Sequence, residues 1–347
     1  MGHTSRRPCT SLDPLPGWYD DLLSCLQTTI GVSVQAHGWD PVQALAAGWR
    51  FSLPAAPVEP VEFYHPAGDQ IGERLCLHHP VQLRWHHPAS RAEADAGIAA
   101  ATATGSHSIV AVNNYHLPFR PAYHDVHAAH LFVLNRLGTP GGVARVHDPQ
   151  PPAYRGPLSR EVLDIARASL RVGDESDPFF AGANPNWRWL EVRVEGPQPS
   201  PSLTWVHAIM VENLDALLRQ TQGPAALATF LDSLPNRVRE HGPRALREIY
   251  VLGWPAQAEA GLHARFLASV AARHRKPRLA ETARAVDHVA NGWTGLRVSA
   301  AHASTLSAPT APADVFRQGA TLLRRWRRCM DLYADMEGLL AEAEVPR

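Results

Sequence analysis

The chain has 347 residues, enough to bury a sizeable core as one large or two medium domains. Lys+Arg and Asp+Glu number 33 each, a balance that removes the electrostatic case for a general nucleic-acid or membrane-surface role. The opening residues lack the apolar stretch of a secretion signal, and no apolar run approaches the roughly eighteen residues of a membrane span, so a cytoplasmic protein is expected. The four cysteines, Cys9, Cys25, Cys76 and Cys329, are scattered with no C-x-x-C pair. They read as free thiols rather than a disulfide scaffold or zinc ribbon.

In chain order, the stretch from Cys25 to His37 carries Leu26, Ile30 and Val34 at helical spacing, with Gly38 as the stop. Cys25 thus falls in a first helical turn. Asp40 and Pro41 read as the N-cap and first position of a short helix ending near Gly48. The proline-rich "LPAAPVEP" reads as a loop, "VQLRW" as a strand, and Ser90 as the cap of an alanine-rich helix running to Gly105. Then come "HSIVAV" as a strand and a long irregular crossing over residues 113–127, a place where function concentrates.

The apolar run after His130 reads as a strand, "TPGG" as its turn and "VARVH" as the returning strand. Beyond Pro149, "PQPPAYRGP" leads to a helix from Ser159, and "WRWLEVRV" is one more strand. The run "EGPQPSPS" then breaks the periodicity, and from Leu203 onward only helical blocks follow, over 205–221, 224–240, 257–275, 278–291 and 313–343. This switch places a domain boundary near residue 200, giving units 1–200 and 201–347.

Residues facing each other across an antiparallel hairpin have nearly constant index sums, here about 281, which brings His130 within about three positions of Asp148 without any tertiary assumption. A carboxylate beside an imidazole fixes its tautomer, leaving the second ring nitrogen to take a proton from a thiol. Cys25, at a helix N-terminus whose dipole favours a thiolate, supplies the third member. His124, His127 and His130 also suggest a metal site. In a loop entering a strand, however, three-residue spacing does not bring side chains to one face, so no metal is expected.

The order Cys, His opening a strand, then Asp followed by Pro resembles papain-like cysteine peptidases. More narrowly, "SCLQTTIGVSVQAHGWDP", "AVNNYHLPFRPAYHDVHAAHLFVL" and "HDPQPPAYRGPLS" resemble the butirosin biosynthesis protein H family. The resemblance implies an α+β fold, with a papain-like catalytic domain followed by an all-helical one. It implies an acyltransferase of natural-product biosynthesis, in which Cys25, His130 and Asp148 carry an acyl group from a carrier-protein thioester to a small-molecule amine. The only prosthetic group it calls for is phosphopantetheine on the partner carrier protein.

In papain-like enzymes a glutamine about six residues before the nucleophile faces the oxyanion. This chain has Tyr19 there, so the oxyanion role falls to Tyr19 or to the Cys25 amide. Asn114, Tyr115, His116 and Arg120 are the candidates for the substrate pocket. Two alternatives stay open: a cysteine peptidase or amidase with the same three residues, and a silent carrier-protein docking module. The basic runs "ARHRKPR" and "LLRRWRRC" offer a docking surface for an acidic carrier or its phosphate, or are ordinary solvated helix faces.

Overall fold

A computed structural model describes residues 17–51, 76–169, 171–172, 182–183, 185–219, 222–305 and 313–335. Cys9 and the proline-rich 53–60 segment lie outside them. The first helix, α1 (Cys25–Ala36), starts in a capping box: Ser24 Oγ accepts from the Gln27 amide at 3.3 Å, while Gln27 Oε1 accepts from the Ser24 amide at 3.1 Å. Every residue from Cys25 to Val34 is buried, so α1 is a core helix rather than an amphipathic surface one. It stops where Gly38 turns to a φ of +80°. Asp40 caps α2 (Pro41–Ala46) by accepting from the amides of Val42 and Gln43.

The strands and helices of the N-terminal part are β1 (Val81–His86), α3 (Arg91–Ala103), β2 (His107–Asn113), β3 (Ala129–Arg136), β4 (Val143–Asp148), β5 (Tyr154–Ser159), α4 (Arg160–Ala168) and β8 (Trp189–Val194). The short strands β6 (Arg171–Val172) and β7 (Gly182–Ala183) pair with each other. Six strands form one sheet in the order β1-β8-β2-β3-β4-β5, antiparallel at every pairing.

Alternation along the strands sends Ile109, Ala111, Leu131, Val133, Leu190 and Val192 to one core and Val110, Val112, Phe132, Leu134 and Val146 to another. The first face packs with α1 and the C-terminal helices, the second with Ile98 of α3 and Leu163 of α4. Burial on both faces explains why β2 and β3 read as continuous apolar runs. On the second face, Arg160 and Arg167, both fully buried, are held by Asp95, and Arg160 also by Asp164. Removing one partner of such a set costs about 3–5 kcal/mol.

Among the described residues strands end at Val194, and the remaining helices are α5 (Leu203–Leu217), α6 (Gly223–His241), α7 (Pro243–His274), α8 (Pro277–Ser304) and α9 (Ala313–Ala334). The fold is therefore α+β with a helical C-terminal region. The expected boundary near residue 200 falls in the strandless stretch before α5, yet one apolar core runs across it. Trp49 and Phe51 of the N-terminal part insert among Trp293 of α8 and Trp326 of α9, with Trp49 stacked on Trp326 at 5.8 Å and 11°.

Two elements depart from the sequence pattern. β5 is hidden by Gly156 and Pro157, which argue against a strand. It is the sheet's edge, where a proline leaves no ladder bond unmade. The expected helix at 257–275 instead begins at Pro243 and continues through Pro255. Arg297 of α8 braces that point, donating Nε to the Tyr250 carbonyl at 3.1 Å and Nη1 to Gln257 Oε1. Tertiary donors thus stabilise a helix that local propensity would have broken.

Candidate active site

Cys25 is the first residue of α1, His130 the second of β3 and Asp148 the last of β4. The β3/β4 register pairs Val133 with His147, which sets Asp148 across from Phe132 and diagonal to His130 on the same face. His130 Nε2 lies 2.7 Å from Asp148 Oδ2, and the imidazole also hydrogen-bonds Cys25. With Nε2 held by the carboxylate, Nδ1 is the nitrogen left for the thiol. The structure therefore brings the three residues together in series, all buried.

Burial by itself disfavours an imidazolium here. The charge and hydrogen bond of Asp148, joined by those of Cys25, outweigh that penalty and raise His130 to about 9. The carboxylate is fully satisfied: Oδ2 also accepts from Arg120 Nη1 at 3.3 Å, and Oδ1 accepts from the Gln150 amide at 3.0 Å. A fully buried charge needs this many partners.

Further contacts hold Cys25 in place. Gln150 Nε2 donates to Thr28 Oγ1 at 3.0 Å and reaches the Leu23 carbonyl at 3.4 Å, tying the end of β4 to the first turn of α1. Trp18 packs against Gly31, where an added Cβ would fall 2.1 Å from the ring. From α7, Trp254 Nε1 donates to the Leu22 carbonyl at 2.8 Å, and Arg265 pairs with Asp20. The chain leading into Cys25 is thus clamped from both sides. Gln150 and Trp18 were missed from sequence. The signal for Gln150 was its place two residues after Asp148, where the strand has to turn across the nucleophile helix.

The remaining sequence candidates are distributed as follows. Tyr19 is 39% exposed and its hydroxyl bonds Asp21. Arg120 is occupied with Asp148 and, at 3.0 Å, with the Gln150 carbonyl. Asn114, Tyr115 and His116 form a single 3₁₀ turn after β2, which Asn113 caps through the Tyr115 amide. Tyr115 stacks on His127 at 4.1 Å, and His116 Nε2 meets Ser169 Oγ at 3.2 Å. Asn113 Nδ2 donates to His127 Nδ1 and to Ser169 Oγ.

The 113–127 crossing is pinned by buried Leu117 and by Phe119, which stacks on Tyr154 at 4.1 Å. His127 and His130, three residues apart, thus serve different partners. Among the described residues no group of three or more His, Cys, Asp or Glu is placed to hold a metal ion. His78, His79 and His86 are half-buried. His86 stacks on Trp189 at 3.9 Å and bonds Glu191.

Burial pushes Cys76 and Cys329 up to about 12, with no base beside them to offset it. Iodoacetamide near neutral pH is therefore expected to modify Cys25, next to His130, well ahead of Cys76 and Cys329. Peptide mapping of a Cys9→Ser protein reads this directly, and equal labelling of the three sites would count against an activated Cys25.

A thiol, imidazole and carboxylate hydrogen-bonded in series at a helix N-terminus is the side-chain set of cysteine-dependent enzymes. Residues 24–149 match the family described as Butirosin biosynthesis protein H, N-terminal. The match opens on the Ser24 cap and closes one residue past Asp148, so it contains all three members of the set. Over this segment the resemblance to the butirosin biosynthesis protein H-like family holds, a family named for a protein of antibiotic biosynthesis. No curated protein matches the chain. Among the described residues no helix is long and apolar enough to cross a membrane.

Proposed function

We propose that the protein is an acyltransferase of natural-product assembly with a papain-like arrangement of Cys25, His130 and Asp148, and that it acts in the cytoplasm. The observation that carries this reading is the buried Cys25–His130–Asp148 series. His130 Nδ1 takes the Cys25 proton while Asp148 holds the resulting imidazolium. The thiolate adds to the thioester carbonyl of an acyl or peptidyl carrier protein, whose phosphopantetheine sulfur carries the acyl group. The oxyanion meets the amide of Cys25, one of the helix N-terminal donors without an intrahelical acceptor. Collapse breaks the carrier's C–S bond, the carrier thiol leaves with the proton from His130, and the acyl group remains on Cys25.

A small-molecule amine then attacks, His130 takes its proton, and the amide departs as Cys25 is regenerated. Thioester exchange is close to isoenergetic, so the first half needs mainly proximity and an oxyanion donor. Amide formation drives the second. Water has to be kept from the acyl-enzyme, and the burial of His130 and Asp148 under the 113–127 crossing supports that. In this reading Asn114, Tyr115 and His116 contribute to the acceptor side of the pocket, while Arg120 acts through Asp148.

The test is intact-protein mass spectrometry with an acylated carrier protein, using Cys25→Ala as the blank. The acyl mass is expected on Cys25, and an added amine should release it as amide faster than water releases it as acid. Rapid hydrolysis indifferent to every amine would instead indicate a peptidase or amidase. No acyl mass from any thioester or peptide donor would indicate a docking module without catalysis.

A further inference from the structure

The basic run 272–278 forms the junction between α7 and α8. Arg275 ends α7 in left-handed backbone, φ +54°, and α8 begins at Pro277, whose ring presets the helical φ and needs no N–H partner. The N-cap residue is Lys276, which has no acceptor to offer the first amides of α8. The positive end of a 28-residue helix is therefore uncapped by its own side chain.

A cavity of about 590 Å³ opens here between the two helices, lined by Arg275, Lys276 and Arg284 over a floor that includes Ala271 and Ala283. Lys276 is only 9% exposed, yet its ammonium makes no hydrogen bond or ion pair with any described residue. By contrast the charges buried in the N-terminal part are paired: Arg160 and Arg167 with Asp95, and Asp148 with Arg120 and His130. Lys276 therefore buries its stem and lines the cavity with an ammonium that no described residue accepts, which marks a place where an anion can be supplied.

The cavity runs along α7 from Arg275 back to Arg265, about 15 Å at the rise of a helix. At that end Arg265 pairs with Asp20 in the segment that leads into Cys25, and Asp287, bonded to Asn291, puts the one acidic side chain away from Lys276.

We infer that this cavity binds a phosphate ester carrying a slim chain, with the phosphate on Lys276, Arg275, Arg284 and the α8 N-terminus and the chain along the alanine floor. The identity of the chain as the arm of a thioester donor rests on the proposed acyl transfer. The anion site rests on the cavity alone.

The probes are 4′-phosphopantetheine and its dephosphorylated form, pantetheine, titrated calorimetrically into the Cys25→Ala protein. The phosphorylated compound is expected to bind at least about tenfold tighter, since charge-assisted contacts to phosphate are lost with the group, and inorganic phosphate should compete. Lys276→Gln should abolish the preference without lowering the melting temperature, because the ammonium it removes has no partner among the described residues. Arg273→Gln, which changes a cation outside the cavity, should leave the preference intact. Equal binding of the two compounds, or a preference that survives Lys276→Gln, overturns the site. If Cys25 accepts no acyl group while the phosphate preference persists, the transfer reading fails and the anion site stands.

Discussion

Asp148→Asn is expected to leave the fold intact and to cut turnover by about two to four orders of magnitude, the scale on which an imidazole losing its orienting carboxylate loses catalysis. Both carboxylate oxygens act as acceptors: Oδ2 from His130 and Arg120, Oδ1 from the Gln150 amide. An amide has one acceptor oxygen, so whichever way the substituted side chain turns, its N–H₂ group faces another donor. The titration of His130 makes the effect specific. Asp148 supplies the largest of the influences that raise His130 to about 9, against a burial penalty that acts the other way. Without the charge, burial prevails and the imidazole should titrate below its ordinary value near 6.5. The alkaline limb of the activity profile, and the His130 ring signals in NMR, should move down together. A variant whose His130 still titrates near 9 would show that Asp148 is not what holds the imidazolium.

The candidate site was unusually readable because two of its members belong to one hairpin. Once the turn at 139–142 is placed, constant index sums put His130 near Asp148, and the observed pairing of Val133 with His147 lies within one residue of that reckoning. Cys25 is readable for a similarly local reason: Ser24 and Gln27 form a capping box, which fixes where the helix starts. What joins the helix to the hairpin is not readable, because it is tertiary. Gln150 crossing to Thr28, Trp254 holding Leu22 and Arg265 holding Asp20 span sequence separations that no local pattern reveals.

The same reason explains the continuation of α7 through Pro255, which depends on Arg297 from the neighbouring helix. β5 escapes notice because an edge strand is exempt from the rule against proline that governs central strands. Counting back from Cys25 points to Tyr19, but such a count carries nothing about the burial and the neighbouring Asp21 that raise its phenol above the ordinary value.

Lowering the pH from 7 to about 4.5 is expected to destabilise the protein by several kcal/mol, starting above the range where carboxylates titrate. His263 and His107 are the cause. His263 is fully buried between the Ala46 carbonyl, which accepts from Nδ1 at 2.6 Å, and the Tyr333 hydroxyl, 2.7 Å from Nε2. That arrangement suits a neutral ring, and burial lowers His263 to about 4. Burial, with His37 adding repulsion, likewise brings His107 to about 4. In the unfolded chain both titrate near 6.5.

Between these values the unfolded state binds protons that the folded state refuses. The histidines' contribution to stability is therefore intact above about pH 6.5 and is lost as the pH falls toward 4. His130 works in the opposite sense: raised to about 9, it favours the folded state below about 6.5 and loses that contribution as the pH rises through 9. Stability should peak near pH 6.5 and fall on both sides. Urea unfolding at pH 8, 6.5, 5.5 and 4.5 measures the curve. His263→Gln, which keeps a donor for the Ala46 carbonyl but cannot protonate, should flatten the acid limb even though it lowers stability at pH 6.5. An unfolding free energy that is level from pH 6.5 to 5, or an acid limb unaltered in His263→Gln, would remove the buried histidines as its cause.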